Sequence, residues 1–376
     1  MVVVENHSGF QIDKLLGTAK RENNNKRKNL FVNYYQGKHF PAKGSESLML
    51  FKRLEERIIL PDDKPVMIIG FAETATAIAA AVASNMGENC TFIHTSREKI
   101  SSELCVADFS EEHSHASEQY LFSADKMKIF NGIRHIVFVE DEITTGKTIL
   151  NFINVLRKIV EPECRFYAAA IVNGMNKDSL ETYKSMEIGL FWLVKIENSI
   201  EDMNRKLDIS ANEDLKPLNR VRNVFKYSLD GMINPRLGCK TANYILACKT
   251  FAEEVIGHLK ELDIDVQAID VIGTEEFMYP AIYLADKLER NGYKAMSHST
   301  TRSPIIPSDS IGYPLKKRCR LHSVYEYGRV TYLYNIYKCD AVIILTDADN
   351  GGENAIDELV EMLDTPNVII VSWRNR

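Results

Sequence analysis

The chain has 376 residues, 45% hydrophobic and 26% charged, with a formal net charge of -6 at pH 7; this suits two ordinary globular domains and excludes a disordered chain. The negative balance argues against a general nucleic-acid-binding surface, and no apolar run approaches the length of a membrane helix. Met1 to Val4 lead straight into polar residues rather than a signal-like run, and the seven cysteines are scattered without a C-x-x-C pair, so a cytoplasmic protein with reduced thiols is expected, with no membrane partner and no zinc or disulfide framework.

The first distinctive stretch is basic: Lys20-Arg21 and Lys26-Arg27-Lys28 surround three Asn, ahead of Phe31-Val32-Asn33, with Lys38 and His39 just downstream. Such a run is ordinarily a solvated loop; the alternative is cover for an anionic ligand. Val66-Met67-Ile68-Ile69-Gly70 then reads as a buried strand of a parallel sheet, broken by Phe71-Ala72-Glu73-Thr74-Ala75-Thr76-Ala77 before an alanine-rich helix to about Ser84. A strand, a tight loop of small residues and a helix N-terminus make an anion site. Thr91 to Lys99 is a further strand closing on hydroxyl and basic residues, with Arg97 the candidate cation. Glu111-Glu112-His113-Ser114-His115-Ala116-Ser117 is too polar and unperiodic for core, and its two His, at i and i+2, would face apart on a helix, which disfavours a metal site.

Residues 136 to 148 carry the most chemistry. Ile136 to Val139 are a short apolar, β-branched run, after which Glu140 and Asp141 are expected to leave the sheet at its carboxyl end, where open α/β sheets place ligands. Thr144 to Thr148 can turn backbone N–H groups and three hydroxyls toward one anion, and a helix from Ile149 adds its dipole. Phosphate in the loop and sugar hydroxyls on the acids is the reading. A nucleoside-triphosphate P-loop would need a Gly where Asp141 stands.

Phe166 to Val172 and Ile188 to Val194 extend the first sheet, and residues 200 to 235 are charged and weakly periodic, with Pro217, Gly231 and Pro235 as breakers. Beyond them the pattern repeats. Asp270-Val271-Ile272-Gly273-Thr274-Glu275-Glu276-Phe277 echoes the strand and loop at Gly70, and Ser299 to Pro304 echoes His94 to Arg97. His322 echoes His115, and Val342 to Gly352 echoes the 136 to 148 segment. The offsets are 203 (Gly70 to Gly273), 205 (Arg97 to Arg302), 207 (His115 to His322) and 206 (Asp141 to Asp347). In this register Glu140 becomes Thr346 and Glu142 becomes Ala348, while Glu353 replaces Lys147 and would repel a phosphate. Arg302, Ser303 and Asp347 remain as a possible second-unit site.

Glu140-Asp141-Glu142-Ile143-Thr144-Thr145-Gly146-Lys147-Thr148 resembles the phosphoribosyl pyrophosphate (PRPP) motif of type I phosphoribosyltransferases. Gly37-Lys38-His39-Phe40-Pro41, Gly70 to Thr76 and Glu111 to Ala116 look like the branch of that family associated with tellurite-resistance operons, and Thr301-Arg302-Ser303-Pro304 matches the signature of the TRSP domain that follows it. The fold class implied is α/β, with two tandem phosphoribosyltransferase-like (Rossmann-like) units, each a mainly parallel sheet flanked by helices, the second with a degenerate site. The expected domains are 1–223, whose basic hood segment covers about 1–60, and 224–376. By position, the resemblance puts ribose on Glu140 and Asp141, the 5-phosphate on Thr144, Thr145, Gly146, Lys147 and Thr148, and pyrophosphate on Phe71, Ala72, Glu73, Thr74 and Arg97. It makes the 111 to 117 stretch a mobile lid on which Glu112 or His115 completes the site or relays a proton. The implied reaction is PRPP-dependent transfer of ribose 5-phosphate to a nitrogenous base, by a homodimer. Mg2+ is implied as cofactor, carried mainly by PRPP with Glu140 and Asp141 within its reach and no metal site of the protein's own. A PRPP-binding regulator without turnover, or a scaffold, are the other classes the motifs leave open.

Overall fold

In the computed structural model, the description covers all residues except 1, 23–26, 111–117, 127, 198–204, 219, 349–351 and 376. The chain divides into two compact units that interleave in sequence. The first contains residues 1–9, 49–203 and 233–246, and the second 10–48, 204–232 and 247–376.

The first unit is built on a seven-stranded sheet of β1 (Val2–Asn6), β4 (Val66–Gly70), β5 (Cys90–His94), β8 (His135–Ile143), β9 (Arg165–Asn173), β10 (Gly189–Glu197) and β12 (Cys239–Lys240). Its order is β1-β10-β9-β8-β4-β5-β12, with the five inner strands parallel and the two edges antiparallel. Parallel strands need both faces covered, and β4 and β5 are buried along their whole length. Cover comes from α3 (Thr76–Asn85), α4 (Lys147–Leu156) and α5 (Lys177–Ser185). Every residue of α3 from Thr76 to Ala83 is buried, its small alanines allowing close approach to the sheet. Helix α4 is amphipathic, burying Ile149, Phe152, Ile153 and Leu156 at helical spacing. An antiparallel pair, β6 (Cys105–Ser110) and β7 (Glu118–Phe122), lies between β5 and β8 in the chain.

The second unit has a five-stranded, wholly parallel sheet of β11 (Asn223–Leu229), β13 (Ala268–Gly273), β14 (Lys294–Ser299), β17 (Ala341–Thr346) and β18 (Asn367–Trp373), in the order β11-β18-β17-β13-β14. Helices α7 (Tyr279–Arg290) and α8 (Glu353–Met362) and the antiparallel pair β15 (Arg318–His322) and β16 (Val330–Tyr334) complete the repeat. The run β4-α3-β5-β6-β7-β8-α4-β9 therefore recurs as β13-α7-β14-β15-β16-β17-α8-β18. The short helix α1 (Ile12–Leu15) and the hairpin of β2 (Leu16–Lys20) and β3 (Asn29–Asn33) also belong to this unit. The unit division falls inside α2 (Gly44–Glu55) and α6 (Thr241–Glu261).

Three features differ from the reading of the sequence. Residues 10–48, expected within a hood on the first unit, are part of the second compact unit, where Arg21 bridges to Ile305 and Ala42 to Ser297. Backbone pairing between distant segments decides this, and no local pattern encodes it. The stretch 200 to 235, read as charged and weakly periodic across the expected 223/224 boundary, contains β11. Its alternating exposure is that of a half-covered edge strand, which a search for buried apolar runs passes over. The repeat is also permuted at that edge: β10 follows β9 in the chain through α5, whereas β11 precedes the strands it joins.

Candidate active site at the carboxyl end of the first sheet

The β8 ladder runs further than its apolar run suggests. Glu140 pairs with Ala170, Glu142 with Val172 and Ile143 with Asn173, so the acids lie within the strand. Side chains alternate across a strand, which puts Glu140 and Glu142 on one face and Asp141 on the other. Glu140, Glu142 and the turn from Ile143 to Ile149 line a cavity of about 60 Å³.

The turn is held by glycine geometry and one buried phenol. Gly146 has φ +74° and caps α4, whose first turn begins at Lys147. The Tyr183 hydroxyl donates to the Gly146 carbonyl at 2.7 Å. Burial, reinforced by the charge of Glu140, pushes the Tyr183 hydroxyl well above its usual range, so it stays a donor. Lys147 is exposed, and Thr144, Thr145 and Thr148 are half-buried around the cavity.

Beside this turn, Phe71, Ala72 and Glu73 are buried and Thr74 is half-buried. The Phe71 ring packs on Phe138 and Phe152 at centroid distances of 5.8 and 6.0 Å. Both backbone groups of Ala72 are held by side chains: its N–H donates to Thr95 Oγ1 at 2.8 Å, and Gln119 Nε2 donates to its carbonyl at 2.7 Å. Thr95 also donates its hydroxyl to Gln119 Oε1, closing the clamp. The peptide between Ala72 and Glu73 is cis. Arg97, half-buried, lies two residues beyond Thr95 at the end of β5, where Ser96 bridges to Tyr120 of β7. Glu112 and His115 lie in the 111–117 connection between β6 and β7, outside the described residues.

In the second unit Arg302 and Asp347 belong to one polar network, joined through Ser323, which accepts the Tyr325 N–H, while Ser303 is held separately. The buried Glu275 carboxylate accepts Arg302 Nε at 2.7 Å, Arg329 Nη2 at 3.1 Å and the Ser323 hydroxyl. Tyr325 bonds to Asp347 and to Thr274, whose hydroxyl in turn reaches Thr346 at 3.0 Å. Ser303 is tied through its backbone, donating to Thr301 Oγ1 and accepting from the Tyr334 hydroxyl.

Several residues were not singled out in the sequence. Alternation through 140 to 142 signals Glu142. For Gln119, Thr95 and Tyr183 no local signal exists, because their partners are backbone groups brought close only by the sheet. Among the described residues, no group of three or more His, Cys, Asp or Glu is placed to hold a metal ion, and no helix is long and apolar enough to cross a membrane.

Residues 15–200 match the family model described as phosphoribosyl transferase. The chain is thus a phosphoribosyltransferase, an enzyme of the glycosyltransferase type, on an α/β fold of mainly parallel sheets. Residues 235–363 match the TRSP domain, described as C-terminal to that transferase, and the chain belongs to the phosphoribosyltransferases that carry this domain. No curated protein matches the chain. Among solved structures it is similar to adenine phosphoribosyltransferase from Trypanosoma brucei, in complex with AMP, pyrophosphate and ribose-5-phosphate, at 12% identity and a TM-score of 0.37, covering 54% of this chain and 86% of that one. It is also similar to orotate phosphoribosyltransferase from Aeropyrum pernix, with 18% identity, TM-score 0.27 and coverage of 42% and 75%. Adenine phosphoribosyltransferase from Saccharomyces cerevisiae gives 16%, 0.31, and 47% and 93%.

Proposed function

We propose that the first unit transfers ribose 5-phosphate from PRPP to a nitrogenous base, with release of pyrophosphate. One observation carries this reading: carboxylates at the end of β8 share a single cavity with a glycine turn at the N-terminus of α4. Backbone N–H groups of Thr144 to Thr148 and the helix dipole suit a 5-phosphate, with exposed Lys147 at its rim. Glu140 is assigned to the ribose hydroxyls with Glu142 beside it, and Asp141, on the other face of β8, is assigned there by its place in the motif alone. The clamped Phe71-Ala72-Glu73-Thr74 loop and Arg97 are assigned to pyrophosphate, and Glu112 and His115 to the closing segment. In the reaction the bond from ribose C1 to pyrophosphate breaks as the base nitrogen bonds to C1, and the base gives up its proton. The protein's part is to hold both partners in line and to place fixed charge where it develops.

The donor set, carboxylate oxygens with hydroxyls close by, suits a hard cation such as Mg2+. Glu140 and Glu142 would hold it, and bound there it would neutralise phosphate charge. The second unit is assigned no PRPP chemistry of its own, since Thr346 and Ala348 stand in the places of Glu140 and Glu142 and exposed Glu353 opens α8. A purine- or pyrimidine-like acceptor, a homodimer, a cytoplasmic setting and a role in making nucleotide-like metabolites linked to tellurite or stress resistance complete the proposal. Calorimetric titration of PRPP with Mg2+, with pyrophosphate release followed across a panel of bases, tests it. Binding at least tenfold weaker in a Glu140→Gln, Asp141→Asn double variant, with base-dependent release by the wild type, is expected; absence of PRPP binding would overturn it.

A further inference from the structure

We propose that the second unit binds a small carboxylate-bearing ligand in a cavity at the carboxyl ends of β11, β18 and β17. Ser228 pairs with Ser372, and Ser372 with Thr346, so three hydroxyl side chains stand in one row across three adjacent parallel strands. The equivalent row in the first unit, through Glu140, is Ala170 and Trp192, so the hydroxyl row is peculiar to the second unit. All three residues line a cavity of about 240 Å³, just below the about 300 Å³ at which typical small-molecule sites begin, and therefore suited to a small ligand. It occupies the end of an open parallel sheet where such folds bind ligands.

The lining specifies the chemistry. Arg374, just past the end of β18 and two residues beyond Ser372, lines the cavity, as does Lys226, two residues before Ser228. Hydroxyls and a guanidinium are donors that match the oxygens of one anionic group. Val324, Ile356 and Ile370 supply an apolar wall for the body of the ligand. Glu353, at the start of α8, also lines the cavity, and Lys226 Nζ lies 3.8 Å from Asp357, so Arg374 is the cation placed to meet an incoming carboxylate. With the carboxylates of Glu353 and Asp357 beside Lys226 and Arg374, a monoanion is better compensated than a doubly charged phosphate, which would leave more negative charge unneutralised. Exposure rises along the row, from buried Thr346 through half-buried Ser372 to exposed Ser228, so the cavity opens toward the β11 edge.

The neighbouring position is already filled. Where the first unit has its Phe71 to Thr74 loop, the second has Glu275, whose carboxylate engages Arg302, Arg329 and Ser323. An outside anion would have to displace this internal one, whereas the hydroxyl row lies beside it with a cavity in front.

The test uses the full chain, with benzoate and orotate as carboxylate probes, inorganic phosphate as the phosphate probe and adenine as a neutral control, each titrated calorimetrically. Backbone amide shifts are mapped by NMR in the wild type, so that the result does not depend on variants folding. The expected result is carboxylate binding with shifts at Thr346, Ser372 and Ser228, weakened tenfold or more in Arg374→Gln and in the cavity-filling Ala348→Leu, and unchanged in the Glu140→Gln, Asp141→Asn variant. No binding of either carboxylate, equal binding by Arg374→Gln, preference for phosphate or adenine, or loss in the Glu140→Gln, Asp141→Asn variant would each overturn the proposal.

Discussion

Replacing Gly146 with alanine tests how the phosphate turn is held. At φ +74° the backbone is left-handed, which costs a residue with a Cβ about 1–2 kcal/mol. The new Cβ would also lie 2.2 Å from Met175 Cε and 2.6 Å from Tyr183 Oη. Neither neighbour yields freely: Met175 is 2% exposed, Tyr183 is fully buried, and the Tyr183 hydroxyl is bonded to the Gly146 carbonyl. Overpacking of this kind adds about 1–3 kcal/mol, so Gly146→Ala should destabilise the protein by about 2–5 kcal/mol. Met175→Ala removes the nearest obstacle but leaves the backbone term. In that background the cost of Gly146→Ala should fall by about 1 kcal/mol or more, a coupling that a double-mutant cycle reads directly. Urea unfolding followed by the fluorescence of Trp192, in a Trp373→Phe background that silences the other of the two tryptophans, reports on the first unit. PRPP titration of the same variants should show binding weakened by tenfold or more. A Gly146→Ala cost within about 0.5 kcal/mol of zero, the ordinary range for an innocuous surface change, would refute the reasoning, as would an identical cost in both backgrounds.

Three further outcomes are expected. Gln119→Leu keeps the volume but removes the donor to the buried Ala72 carbonyl and the acceptor of the Thr95 hydroxyl; it should cost about 2–5 kcal/mol in urea unfolding and weaken pyrophosphate binding, and wild-type values for both would show that the clamp is idle. The hydrogen bond from His135 to Asp62, with the Lys64 contacts, holds the Asp62 carboxyl down from 3.8 to about 2; because the folded value is the lower one, the stabilisation is complete above about pH 3.8 and is lost as pH falls toward 2. Asp62→Asn should therefore flatten the acid limb of the stability curve in that window, and an unchanged limb would remove Asp62 from the account. Finally, burial pushes the thiols of Cys90 and Cys164 up to about 11 and those of Cys239, Cys319 and Cys339 to about 12. Native thiol labelling at pH 8, read by peptide mass, should find half-buried Cys105 modified first, and equally fast modification of Cys90 or Cys319 would contradict the packing around them.

The amino-acid order alone carried the features whose physics is local. A buried strand, a glycine turn and a helix start occupy consecutive residues at 66–76 and at 136–156, so hydrophobic pattern and turn chemistry are enough to read them, and the same pattern near one offset exposed the repeat. Even there, the placing of Glu140 with Glu142 rather than with Asp141 depended on how far the ladder of β8 with β9 continues, which is a property of two strands and not of one. Hydrogen bonds between segments remote in sequence set everything else. Thr95 and Gln119 clamp Ala72 because β5 and β7 deliver them to it, and residues 10–48 join the second unit because Arg21 and Ala42 find backbone partners at Ile305 and Ser297. Ser228, Thr346 and Ser372 are unremarkable serines and threonine in sequence. They form a row only because β11 enters the sheet beside β18 in a register that inter-strand hydrogen bonding imposes, and a one-residue slip would turn each of them to the opposite face.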